Sequence, residues 1–157
     1  MRRVAVMVGA LAVAVASAVV VFGGGAGASS TSVSIVGNDS FIPNGKIEST
    51  FHFSPGTISV RSGGSAQWID ATPDPHTITI VKASQLPTTA NQVFNCRVCQ
   101  SQAPVANVGR PGLDAPGDSL FVKSSGSVSA PVTAPTGTVL HYMCIFHPWM
   151  QGLINVT

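Results

Sequence analysis

Residues 51–81 read FHFSPGTISVRSGGSAQWIDATPDPHTITIV, and their punctuation points to short strands. SPG and SGGS are turn formers. They bracket strand candidates at 57–60 and 66–69. HTITIV, residues 76–81, is β-branched at nearly every position and reads as a well-buried strand. The pattern continues downstream at 119–123, 126–132, 137–144 and 152–157, each run set off by Gly, Pro or Ser. Only 9% of the 157 residues are charged, too few for helices with solvated faces. About eight short strands and no helix in the exported part predict an antiparallel β-sandwich or barrel.

The N-terminus reads separately. Arg2 and Arg3 precede an almost wholly apolar run, Val4 to Phe22, and then small residues with Ala26 and Ala28 in an A-x-A arrangement. This is the pattern of a secretory signal peptide, residues 1–28. The apolar run is also long enough to anchor the chain in a membrane if it is not cleaved. Cleavage implies a secreted, periplasmic or cell-surface protein with no further membrane association. It also removes two of the eight Lys and Arg, leaving six against six Asp and Glu. No basic run suggests nucleic acid, and long-range steering of a partner by net charge is expected to be weak. Residues 29–50 read as a flexible segment or a first edge strand, and residues 51–157 as the folded domain. Within it, 82–118 has poor periodicity and reads as a long loop insertion.

Chemistry concentrates in YMCIFHPWMQG, residues 142–152, where Cys144, His147 and Met150 recur every third residue. In a strand ending at Cys144, Tyr142 and Cys144 share the inward face, while His141 and Met143 face the other way. Pro148 forces a turn, so the three donors lie on one loop between two strands. A fourth donor must come from a facing element. Of the four histidines, His52 and His141 sit in alternating strand contexts, whereas His76 opens a rigid strand behind Pro73 and Pro75. Two imidazoles, a thiolate and a thioether suit electron-transfer copper. Zinc favours more thiolates or a carboxylate, and haem attachment needs a His after Cys99, where Gln100 stands. Taken singly, Cys144 could be a buried thiol, His76 a loop histidine and Met150 core filler. Cys96 and Cys99 suggest a local disulfide, with a second metal or copper-loading site and free thiols as alternatives.

The ligand loop GTVLHYMCIFHPWMQGLINV and the upstream FSPGTISVRSGGSAQWIDATPDPHTITI together resemble the cupredoxins, blue copper proteins of the plastocyanin and amicyanin type. The Cys-x-x-His-x-x-Met spacing is similar to the short amicyanin-like form. The resemblance covers roughly residues 51–81 and 119–157; the 82–118 segment with Cys96 and Cys99 departs from it. It implies a Greek-key β-sandwich and one type 1 copper held by His76, Cys144, His147 and axial Met150. It also implies a one-electron carrier rather than an enzyme, expected as a monomer. Thr77 is placed to brace the ligand loop, and redox partners would dock on the apolar face around His147 and Trp149. The competing reading is an extracytoplasmic copper carrier that does not cycle its metal.

Overall fold

The computed structural model describes residues 30–101 and 112–157; the expected signal peptide lies outside the described residues. Two sheets face each other. One has the order β4-β1-β6-β9, built from His52–Ser54, Ser30–Val36, Ser65–Asp70 and Ser127–Pro131. The other has the order β5-β11-β10-β7-β8, built from Thr57–Val60, Gln151–Val156, Val139–Met143, His76–Val81 and Ser119–Val122. Successive strands cross repeatedly between the sheets, which makes the all-β fold a Greek-key sandwich. Most neighbours are antiparallel. The pairs β1–β6 and β5–β11 are parallel, a consequence of those crossings that alternation alone does not show.

Alternation gives the core. β6 and β11 bury every second residue, and Val33, Ile35, Trp68, Ile78, Leu140, Tyr142 and Ile154 meet between the sheets. Tyr142 packs edge-on against Trp68 at 5.7 Å between ring centroids. A Cβ at Gly152, opposite Tyr142 in the β10–β11 pair, would overlap the tyrosine ring, so only glycine fits there.

The structure departs from the sequence expectation in three places. β1 lies between β4 and β6, not at an edge, because its apolar Val33 and Ile35 belong to the central core. Residues 39–49 form an exposed hairpin of β2 (Asp39–Ile42) and β3 (Lys46–Ser49), which with β4 raises the strand count among described residues to eleven. The start of the 82–118 segment is not strandless loop. It holds a 3₁₀ turn, Ala83–Gln85, and two short helices, α1 (Ala90–Phe94) and α2 (Arg97–Ser101), where none was expected.

That segment has a packing role. Cys96 joins Val81, Met143 and Ile145 in a second apolar cluster, with Leu86, Val98 and Cys99 against it. The cluster covers the outer face of the sheet at Val81 and Met143, and β7 is buried at all six positions. Cys96 and Cys99 form a disulfide. Its closed loop is small, so its entropic contribution is about 2 kcal/mol. Thiol titration of the denatured, metal-free protein is expected to find one reactive cysteine, Cys144; three would disprove the pairing in solution.

Candidate metal centre

His76 begins β7, Cys144 follows the end of β10, and His147 lies on the loop that returns to β11. The loop is closed by its own backbone. The Met150 amide donates to the His147 carbonyl at 2.8 Å, and the Cys144 amide donates to the Met150 carbonyl at 3.0 Å. Pro148 and Gly152 therefore punctuate a single compact turn, with both ends held in the sheet.

The fold brings three of the four expected ligand atoms to one point. Cys144 Sγ lies 3.7 Å from Nδ1 of His76 and 3.7 Å from Nδ1 of His147, and the two nitrogens are 3.2 Å apart. The point equidistant from three such corners is about 2.1 Å from each, within the roughly 2.0–2.3 Å of first-row metal bonds to imidazole and thiolate as zinc shows them. Met150 is fully buried in the same loop and shares the core cluster with Cys144. The donor set thus fits a metal that accepts two imidazoles and a thiolate.

Neighbouring groups set the orientation of His76. Thr72 Oγ1 donates to the Asp74 carbonyl at 3.1 Å and lies 2.9 Å from His76 Nε2. Its proton is already committed, so it accepts from Nε2–H. That leaves the Nδ1 lone pair facing Cys144, the tautomer a ligand needs. Asp70 in turn accepts from the Thr72 amide at 2.8 Å and fixes the turn. Phe51 walls both imidazoles, with its ring 5.1 Å from that of His76 and 5.0 Å from that of His147.

The sulfur is braced from β7. The Thr77 amide donates to Cys144 Sγ at 3.4 Å, and the Ile145 amide donates to Thr77 Oγ1 at 2.9 Å. The Thr77 side chain also holds the Cys144 thiol down, against the burial that raises it. Behind it, Thr79 Oγ1 donates to Thr77 Oγ1 at 3.1 Å, and Ser119 Oγ is 2.8 Å from Thr79. Thr79 has one proton, so Ser119 must be the donor in that last contact. Three buried hydroxyls therefore run in sequence from Ser119 to Thr77, beside Cys144. The expected brace at Thr77 is present, and the two hydroxyls behind it are additional.

Burial dominates the electrostatics. It raises the Cys144 thiol above its usual range, partly offset by the amides of Thr77, His147 and Phe146. It lowers His76, partly offset by Asp70, and lowers His147, partly offset by Asp39 and Asp74. Near neutral pH the metal-free site is therefore a thiol and two neutral imidazoles, and a metal taking the thiolate releases a proton. A histidine whose folded pKa lies below its unfolded value contributes stability above pH 6.5. That contribution is lost on acidification below this value, because the unfolded chain binds more protons. The metal-free protein is expected to lose stability through His76 as pH falls below 6.5. Urea midpoints that do not change between pH 7 and 5 would contradict this.

His52 is exposed, and His141 is half-buried on the opposite face of β10 from Cys144; neither joins the cluster. Sequence reading missed Phe51 and Thr72, for which only the alternation FHF and the turn ATPDP gave a signal. It also missed Asp39 and Asp74, each with an oxygen within 4.8 Å of a His147 nitrogen.

No protein-family model matches the chain, and neither does a curated protein sequence. Solved structures do. A purple cupredoxin from Nitrosopumilus maritimus is 16% identical, with 80% of this chain and 98% of that one covered at a TM-score of 0.47. Amicyanin from Paracoccus versutus is 14% identical, with 83% of each chain covered at 0.46. Plastocyanin from Dryopteris crassirhizoma is 17% identical, with 81% and 100% covered at 0.45. These three solved structures, to which this chain is similar, are cupredoxins.

Proposed function

We propose that the chain is an exported type 1 copper protein that carries single electrons between redox partners and has no catalytic activity of its own. His76, Cys144 and His147 are its equatorial ligands and Met150 its axial one. The observation that carries this reading is the triangle of Cys144 Sγ and two imidazole Nδ1 atoms, all facing one point. Copper supplies one-electron redox chemistry to such a donor set. The protein's part is to keep the donors still. His76 is fixed through Thr72, and Cys144 through Thr77. His147 and Met150 are fixed through the loop's own hydrogen bonds. Core residues exclude water from the sulfur, which is fully buried. Donors held in one geometry have little to rearrange when the charge of the site changes by one.

An absorption spectrum of the copper-loaded protein tests this directly. A thiolate-to-copper charge-transfer band that bleaches on reduction and returns on oxidation supports the redox reading. Stoichiometric copper without that band favours the carrier reading.

The export reading rests on residues 1–28. Among the described residues no helix is long and apolar enough to cross a membrane. Electrons enter and leave at His147, which is half-buried and 5.3 Å from the Trp149 ring. Trp149 and Phe146 are 42% and 40% exposed, an apolar rim for a close, transient encounter. Trp149→Lys and Phe146→Lys are each expected to slow electron exchange severalfold, since a charge must then be desolvated at the contact, without moving the absorption band. Unchanged exchange rates in both would place the docking face elsewhere.

A further inference from the structure

The apolar rim continues well beyond the ligand loop. A groove of about 670 Å³ runs beside Trp149, between the β2–β3 hairpin and α1. Ile47, Pro87, Val93 and Phe94 line it, and Gln151, Ser49 and other uncharged residues complete it. Ile47 is 76% exposed and Phe94 82%. Side chains of this size left that open on one continuous surface mark a binding face rather than scattered exceptions. At the His147 end the character changes. Asp39, paired with Ser49 across the hairpin, and Asp74, between Pro73 and Pro75, each place a carboxylate oxygen within 4.8 Å of a His147 nitrogen. Neither has a salt-bridge partner among the described residues. The ends of the face therefore differ: uncharged and apolar over the hairpin and α1, doubly negative over the imidazole.

From this we infer that the redox partner is a protein with a cationic contact surface. It sets Lys or Arg against Asp39 and Asp74 and an apolar side chain in the groove between Ile47, Phe94 and Trp149. This deepens the copper reading and rests on it for the word redox. The exported part has six Lys and Arg against six Asp and Glu, so the local pair, not the net charge, sets the sign of the encounter. A second copy of this chain docking through the same face would oppose two carboxylates to two carboxylates, so self-association there is disfavoured.

The test uses the full copper-loaded chain and one probe in two charge forms: a lysine-rich c-type cytochrome, and the same cytochrome with its lysines succinylated. At low ionic strength the native cytochrome is expected to exchange electrons about tenfold faster than the succinylated form, with the difference shrinking as salt rises. The double variant Asp39→Asn, Asp74→Asn should lose most of that advantage. Ile47→Ser with Phe94→Ser should slow exchange at every ionic strength, because the contact it weakens is not electrostatic. An Asn variant at the unaltered rate, a succinylated probe that reacts faster, or Ser variants without effect would each overturn the inference. A copper-free arm separates it from the copper reading. Amide shifts on titration with redox-inactive zinc cytochrome should cluster at residues 39–49, 87–94 and 147–151. Clustered shifts in a protein that shows no charge-transfer band would retain the docking face while the copper reading fails. Shifts elsewhere, or a dimer formed through this face at micromolar concentration, would remove it.

Discussion

Cys144→Ser is expected to abolish the thiolate-to-copper absorption entirely and to leave the sandwich folded. Serine is close in size to cysteine, so the fully buried position keeps its packing, and the Thr77 donors still find an acceptor. What changes is the donor. A hydroxyl is a hard group that stays protonated where a thiol yields to a soft metal, and it has no sulfur orbital from which charge transfer can arise. The two imidazoles remain, so weakened copper binding persists without the colour. Absorption and circular dichroism on the same sample check both halves. A variant that keeps the band would show that another group supplies the sulfur.

The next largest effect belongs to a residue that is not a ligand. Thr77→Val preserves shape and β-branching but deletes Oγ1. The Ile145 amide then loses its acceptor inside the protein, at a cost of about 1–3 kcal/mol for an unsatisfied buried donor. Thr79 loses its acceptor as well, and Cys144 loses the polar side chain that holds its thiol down. Without that polar group the thiolate is less stabilised and favours the oxidised metal, so the reduction potential should fall. A hydrogen bond of about 1 kcal/mol corresponds to about 40 mV for one electron. Thr77→Ser keeps the oxygen and should restore both stability and potential. Urea unfolding and a redox titration of the pair check this. Equal potentials in Thr77→Val and the parent would mean that the hydroxyl does not act on the sulfur.

Much of this was legible in the chain because strand signals and ligand spacing are local. Thr57–Val60 and His76–Val81 begin and end where their β-branched runs do. Cys144, His147 and Met150 fall on one turn because three-residue spacing around a proline leaves no other arrangement. His76 was legible because its prolines mark a strand entry. The hairpin was not read, although Pro43-Asn44-Gly45 is a turn signal and Asn44 adopts a positive φ of 57°. Its strands are exposed on both faces, so no alternation drew attention to them. The helices of the 83–101 segment are five residues each, too short for a helical period, and only the Thr89 cap on Gln92 announces the first. Asp39 beside His147 could not be read at all, since nothing local links residues 108 positions apart.

The second apolar cluster has a consequence for motion. Strands at the surface of a sandwich usually have one wet side, from which water can reach a transiently broken hydrogen bond. At Met143 the strand β10 has none: Tyr142 and Cys144 face the central core, and Met143 and Ile145 lie under the segment tied by Cys96 and Cys99. β10 also has a partner on each edge, β11 and β7. Local fraying there would have to open two cores at once, so the amides of 142–145 should exchange with solvent only through unfolding of the whole domain. The exposed hairpin beside His147 belongs to the opposite regime, with few buried contacts and fast opening. The molecule thus sets its stillest backbone beneath the candidate metal position and its most yielding backbone on the proposed docking face.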